Sequence, residues 1–446
     1  MDRFLSLIVR LVVWFANWTK PLAWLGLYRY SQWRPGQPLR ILLVGYNGAR
    51  NTGADARVVA LTQQLEQALG AESSKLTVMT LDTENMNGYF PLHIKLWRFT
   101  TMFVFSLLRA CSCHHVAVLC EGSMLTPTFS EALCVFFCEA AGIMRRQHKP
   151  CIAYGSEVGR LSGWLAKLSR DMCRDTYFIV RTRESLDNLQ VLGLRGHIGT
   201  DTAWTFDCQN GEAWARKFLK MAGWDGHQPL LGIAPINPFC WPVRPSLWRW
   251  VKALVTRDFS QQYDKFYFYS DSPERRRQYK RYLEALAAAA DIYSQEYGAF
   301  VVILGIEKLD KKVCSQLSML IDCRHTVFTS YFEDVFHMTG LLRQLSILLT
   351  SRYHAAVLSM ESAVPIVAVS IDARLQALMR ELDLDYSSLL QATDADLKLR
   401  IIQSLRLNTE RQALIAMNIR RHVAAYKTQV NNMSQFFKSW LERQFS

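Results

Sequence analysis

Two stretches of this sequence space their side chains for chemistry on anions. The segment Thr350-Ser351-Arg352-Tyr353-His354-Ala355-Ala356 sets a fixed cation two residues before an imidazole, and the apolar run 365–370 follows. A guanidinium grips carboxylate or phosphate through paired donors. An imidazole exchanges a proton near neutral pH. The second stretch, Gly45-Tyr46-Asn47-Gly48-Ala49-Arg50-Asn51-Thr52-Gly53-Ala54-Asp55, opens from an apolar run. Its glycines permit close backbone approach, and Asn51 or Thr52 caps a helix starting near Ala54. Such a helix start exposes unpaired amides that suit an anion. Asp55 falls in the first turn, where a carboxylate stabilises the helix dipole. No Gly-Lys-Ser/Thr follows, so this is not a Walker loop, and the glycine spacing is not the dinucleotide fingerprint.

These residues need strand ends to hold them. Runs at 41–45, 76–81, 115–119, 150–154 and 177–180 read as buried strands separated by helices. That alternation predicts a parallel sheet covered on both faces. Glu121-Gly122-Ser123, Tyr154–Gly159 with Glu157, and Arg181-Thr182-Arg183-Glu184-Ser185 each follow one of these runs. Together with the first loop they line one sheet edge, where open α/β sheets bind ligands. After residues 207–229, read as a linker, a second series runs through 230–235, 265–269, 300–305, 326–329, 347–350 and 366–370. The expectation is an α/β fold of two doubly wound, Rossmann-like lobes, 37–206 and 230–407, with a cleft between facing strand ends. This is the two-lobed, GT-B-like architecture of many glycosyltransferases. A helical tail, 408–446, follows and is long enough to brace the first lobe.

Composition narrows the partners. The chain has 446 residues, half of them apolar, and a formal net charge of +13. Such a balance favours anionic partners. No RNA-binding signature, zinc-finger spacing or long basic run points to nucleic acid, and residues 274–281 read as a solvated helix face. The 11 cysteines are scattered. They fit free thiols in a reducing compartment. Cys111-Ser112-Cys113-His114-His115 lacks a second ligand pair at zinc spacing, so no metal is expected. Residues 1–36 form an amphipathic leader interrupted by Arg10 and by Lys20-Pro21. It is too broken to span a bilayer and lacks a cleavage site. Arg3, Ser6, Arg10 and Asn17 share a face, while Trp14, Trp18, Trp24 and Trp33 suit headgroup depth. The leader either lies on a cytoplasmic leaflet or packs on the protein itself.

The order of these motifs resembles the polysaccharide pyruvyl transferase family, over residues 41–384. The similarity rests on Asn51-Thr52-Gly53-Ala54-Asp55, Glu121-Gly122-Ser123, Arg181–Ser185 with Leu192-Gly193 and Asp201, and Arg352-x-His354 followed by Pro365. The resemblance implies transfer of a pyruvyl group from phosphoenolpyruvate to two hydroxyls of a glycan or lipid-linked sugar, giving a cyclic ketal without a cofactor. On that reading Arg352 clamps the donor and His354 is the acid or phosphate partner. Asp55, Glu121 and Glu157 are base candidates. Asn51, Gly53, Gly122, Ser123, Arg183, Asn237 and Arg374 line the substrate. The family's arginine after the first strand of the second lobe is replaced by Asn237, with Arg244 a possible substitute, and its late lysine by Arg374. The implied location is the cytoplasmic face of the plasma membrane. The competing readings are a glycosyltransferase using a nucleotide sugar and a catalytically silent relative that binds glycan.

Overall fold

Apolar runs such as Ile41-Leu42-Leu43-Val44 and Ile366-Val367-Ala368-Val369 are fully buried. Continuous burial is the pattern of parallel strands covered by helices on both faces. The computed structural model describes residues 2–99, 103–128, 130–259, 262–264, 267–370, 373–382 and 388–445. In the first lobe β1 (Leu39–Asn47), β2 (Ser74–Thr80), β3 (Lys95–Arg98), β4 (Val116–Leu119), β5 (Cys151–Ser156), β6 (Tyr177–Val180) and β7 (Arg195–Ile198) form one sheet. Its order is β3-β2-β1-β4-β5-β6-β7. The second lobe holds β8 (Leu230–Ala234), then a small antiparallel sheet of β9 (Arg244–Pro245), β10 (Gln262–Asp264) and β11 (Tyr267–Phe268). Its main sheet adds β12 (Phe300–Gly305), β13 (His325–Thr329), β14 (Ile347–Thr350), β15 (Ile366–Ser370) and β16 (Leu389–Gln391), in the order β13-β12-β8-β14-β15-β16. Both large sheets are parallel throughout. Each reverses its winding beside its first strand, which is where such sheets open a crevice for ligands.

The two-lobed α/β expectation therefore holds, with local differences. The short edge strands β3 and β7 carry Lys95, Arg98, Arg195 and His197, which blunt the apolar signal of a strand. The strand expected over 265–269 is represented by β11, which joins the small antiparallel sheet; residues 265 and 266 lie outside the described residues. The 207–229 segment is not all extended connection. It contains the helix Gly211–Met221, whose Trp214 stacks on His337 of the helix Val335–Gln344 at 3.9 Å. A side chain at Gly340 would strike the Gly211 carbonyl, so the two helices meet only because both positions lack one.

The leader and the tail both pack on the first lobe. Val9, Val13 and Ala16 of the leader are buried, and Val13 meets the helix Glu131–Arg146 at Gly142, where a Cβ would come within 3.1 Å. Ser6, placed by sequence on a polar face, is buried too. Among the described residues no helix is long and apolar enough to cross a membrane. The 34-residue helix Gln412–Phe445 crosses back from the second lobe. Its Phe437 meets Tyr154 of β5 edge-on at 6.0 Å, and Met433 fills the space beside Gly199. Phe437 is fully buried, so Phe437→Ala should cost about 3–5 kcal/mol in urea unfolding, from lost burial plus a cavity. The same truncation at exposed Met417 should stay within about 0.5 kcal/mol.

Candidate active site

Asp201 lies beyond the carboxyl end of β7, caps the short turn Thr202–Thr205 and is completely buried. Its Oδ1 accepts from Arg57 Nε at 3.0 Å and its Oδ2 from Arg181 at 2.6 Å. Arg57 is delivered by the buried face of the helix Thr52–Leu69, and Arg181 by the residue just past β6. From the second lobe, His354 brings Nε2 to 3.4 Å from the same Oδ2. Arg57 above all, then His354 and Arg181, hold the Asp201 carboxyl well below the usual carboxylate range, despite its burial. For His354 burial outweighs the Asp201 charge and lowers the imidazole pKa. The ring rests on Gly53, where any Cβ would collide with it. Buried ion clusters of this kind are seldom the most stable way to fill a core, and they concentrate at functional sites.

Two donors in the cluster remain unused. Among the described residues, Arg57 Nη1 and Arg181 Nε are buried without a hydrogen-bond partner. A Cβ on Gly122 would come within 2.7 Å of Arg57 Nη1 and 2.9 Å of Arg181 Nη1. The bare glycine thus leaves its contact with both guanidinium groups free of side-chain atoms. A buried, unpaired N–H costs free energy that an anionic acceptor would recover.

The lobes are stitched around this cluster. Arg374 donates to Ser123 Oγ at 2.9 Å and lies 3.8 Å from Glu157, whose carboxylate also accepts from Arg181 at 2.9 Å. Tyr353 lies beneath Arg181, with the guanidinium carbon 5.0 Å from its ring centroid. The loop before the first helix docks on the second lobe: the Thr52 amide donates to the Ile306 carbonyl and the Lys308 amide to the Arg50 carbonyl, both at 2.9 Å. Asn51 caps the helix, accepting from the amides of Gly53 and Ala54. Asp55, one turn in, accepts from the Gly48 amide at 3.2 Å. Burial pushes its carboxyl up to about 7. Glu121 accepts from the Tyr46 and Ser123 amides, closing the rim.

The sequence profile described as polysaccharide pyruvyl transferase matches residues 122–373, from Gly122 to just before Arg374. This chain belongs to the polysaccharide pyruvyl transferase family. No curated protein matches the chain. Among solved structures it is similar to the Neisseria meningitidis UDP-GlcNAc 2-epimerase bound to UDP-GlcNAc, at 11% identity and a TM-score of 0.55, covering 91% of this chain and 100% of that one. It is also similar to Anabaena HepE in complex with UDP-glucose, at 13% identity and a TM-score of 0.54, covering 90% and 100%. The Methanocaldococcus jannaschii UDP-GlcNAc 2-epimerase, at 12% identity and a TM-score of 0.52, covers 83% and 92%. These likenesses extend to the two-lobed fold.

In this pyruvyl transferase family member the structure brings His354, Gly53, Gly122, Ser123, Glu157 and Arg374 around Asp201, while Asn51, Asp55 and Glu121 shape the adjoining helix start. Arg352 is not an open cation. It is half-buried between Glu307, at 2.9 Å, and Asp310 in its own lobe, and among the described residues its Nε has no hydrogen-bond partner. Arg183 stands outside the cluster: Thr182 caps the helix, so Arg183 starts it facing solvent, 76% exposed and paired with Asp187. Asn237 is turned to its own loop, accepting from the Phe239 amide, and Arg244 is exposed on β9. Arg275 braces that loop through the Phe239 and Trp241 carbonyls. Sequence reasoning passed over Arg57, Glu307 and Asp310. Arg57 had a signal, a charge inside Ala54-Asp55-Ala56-Arg57-Val58-Val59, and Glu307 and Asp310 follow a strand end as Glu121 and Glu157 do. Of the cysteine–histidine stretch, His115 is occupied at both ring nitrogens, by the Arg40 amide and Ser31 Oγ.

Asp201→Asn should leave the buried Arg57 guanidinium without a carboxylate and Arg181 with Glu157 alone, and cost about 3–5 kcal/mol in chemical denaturation at neutral pH. Asp55 generates a pH prediction. Its folded value of about 7 lies above the ordinary 3.8, so the folded protein holds this proton more tightly than the unfolded chain. Stability therefore falls as pH rises from about 4 to about 7, by up to roughly 4 kcal/mol from this group. Urea titrations across that interval should show Asp55→Asn gaining stability relative to wild type as pH rises.

Proposed function

We propose that this chain transfers a pyruvyl group from phosphoenolpyruvate to two hydroxyls of a glycan or lipid-linked sugar, releasing phosphate and forming a cyclic ketal. The observation that carries this reading is the unused donor Arg57 Nη1 beside Gly122, with a second unused donor, Nε, on the neighbouring Arg181, in the cluster that holds His354. Phosphoenolpyruvate presents a carboxylate and a phosphate on adjacent atoms, and forked guanidinium groups recognise both. In the reaction two C–O bonds form at C2, the C2–O bond to phosphate breaks, and one proton reaches the terminal methylene. The second hydroxyl proton leaves with phosphate.

Asp55 and His354 divide the proton work in this scheme. With a carboxyl that titrates at about 7, Asp55 is present in both forms near neutrality and suits the base that takes the hydroxyl proton. Burial keeps His354 neutral before the donor binds. A bound trianion beside it would favour the imidazolium, which then delivers a proton to the methylene. Arg352, neutralised by Glu307 and Asp310, orients the His354 loop rather than clamping the donor.

The leader supports a peripheral place on the cytoplasmic face of the plasma membrane. Phe4, Leu7, Leu11, Trp14 and Trp18 keep an apolar stripe at least half exposed while Val9, Val13 and Ala16 hold the helix to the lobe. A second reading is a nucleotide-sugar glycosyltransferase, favoured by fold likeness to proteins crystallised with UDP-sugars. Phosphate release from phosphoenolpyruvate in the presence of a lipid-linked sugar extract tests the first. His354→Gln and Arg57→Lys should lower kcat/KM roughly 10²–10⁴-fold with unchanged far-UV dichroism. Full activity in both variants, or thermal protection by UDP with none from phosphoenolpyruvate, would sink the pyruvyl reading.

A further inference from the structure

A groove of about 790 Å³ lies between the leader helix and the first lobe. Arg10, Arg145, Arg146, Arg170 and Arg174 line it against a single carboxylate, Asp171. Asp171 is paired with Arg10 at 3.3 Å. Arg170 donates to the Leu192 carbonyl. Arg145, Arg146 and Arg174 form no ion pair among the described residues, and Arg145 Nε is buried without a hydrogen-bond partner. Five guanidinium groups against one carboxylate leave a strong local excess of positive charge, which a bound anion would relieve. Phosphate is one of the anions whose geometry matches the fork of arginine.

The surroundings select the source of that phosphate. Trp14 lines the groove and also belongs to the exposed stripe Phe4, Leu7, Leu11, Trp14 and Trp18. These positions recur at helical spacing, so the apolar stripe runs along the same helix that walls the basic groove. Tryptophan favours headgroup depth, with apolar side chains deeper and cations meeting acidic headgroups. We infer that this groove is a binding site for the phosphate of an anionic phospholipid, seating the leader on the bilayer. The inference rests on the peripheral-membrane reading and adds to it a defined site on the lobe itself. It also gives the leader's packing a use: Val13 against Gly142 fixes the apolar stripe beside the arginines.

The test is flotation of the full chain with phosphatidylcholine vesicles, with or without phosphatidylglycerol. Wild type should float with the acidic vesicles. The triple variant Arg145→Gln/Arg146→Gln/Arg174→Gln should bind them on the order of 100-fold more weakly, at about 1 kcal/mol per cation. A control, Arg276→Gln/Arg277→Gln/Lys280→Gln, removes equal charge from an exposed helix of the second lobe and should bind like wild type. Equal losses in both triples would reduce the effect to diffuse charge and overturn the site. Undiminished binding by the groove variant would overturn it too, while leaving the leader's membrane role standing. If wild type floats with neither vesicle, the peripheral reading itself fails. Titration with inorganic pyrophosphate separates the sources: arginine-dependent binding without preference for acidic vesicles would assign the groove to a soluble phosphate and overturn the bilayer assignment. Thermal melts of both triples, expected within a few degrees of wild type, guard against unfolding.

Discussion

A single buried carboxylate organises this molecule. Asp201 is where the first helix, the end of β6 and the Arg352–His354 loop converge, because Arg57, Arg181 and His354 all point at its two oxygens. Placing an ion there is expensive, and each partner is needed to offset the desolvation of the others. Several features of the surroundings follow from that requirement. Gly53 is bare so that the imidazole can reach the cluster, and Gly122 is bare beside two guanidinium groups. The Glu157 carboxylate and the Tyr353 ring supply the remaining environment of Arg181.

The cluster also contributes to how the lobes meet. Each lobe is a parallel sheet with its own winding reversal. They share an apolar core, with Phe336 against Tyr89 and Phe206, and directional polar links join them as well: His354 to Asp201, Arg374 to Ser123 and Glu157, and the backbone pairing of residues 50–52 with 306–308. Interactions of that kind are directional and depend on charge state. The relative placement of the lobes is thereby linked to the groups proposed to handle the donor.

Much of this was legible in the sequence, for reasons that differ by element. Strands 177–180, 300–305, 347–350 and 366–370 coincide with β6, β12, β14 and β15, since each is a short apolar run bounded by turn residues. Edge strands β3 and β7 were not, because charges at an edge mask the run. Within the site, residue type and position after a strand located Glu121, Glu157 and His354. Periodicity cannot tell which of two neighbouring arginines turns inward, and the cap at Thr182 set Arg181 inside and Arg183 out. Nor does a strong cation announce that it is already neutralised, as Arg352 is by Glu307 and Asp310. Those partners lie more than 40 residues away in sequence, beyond the reach of any local pattern.

The helix Gln412–Phe445 has a consequence for how the protein comes into being. It fills part of the first lobe with Phe437 and Met433, and its Phe445 lies 5.0 Å from Trp33 near the other end of the chain. During synthesis the first lobe leaves the ribosome early but lacks this piece until the second lobe has followed. The nascent first lobe must therefore wait with an open apolar seam, and its maturation is timed by a segment translated after the whole second lobe.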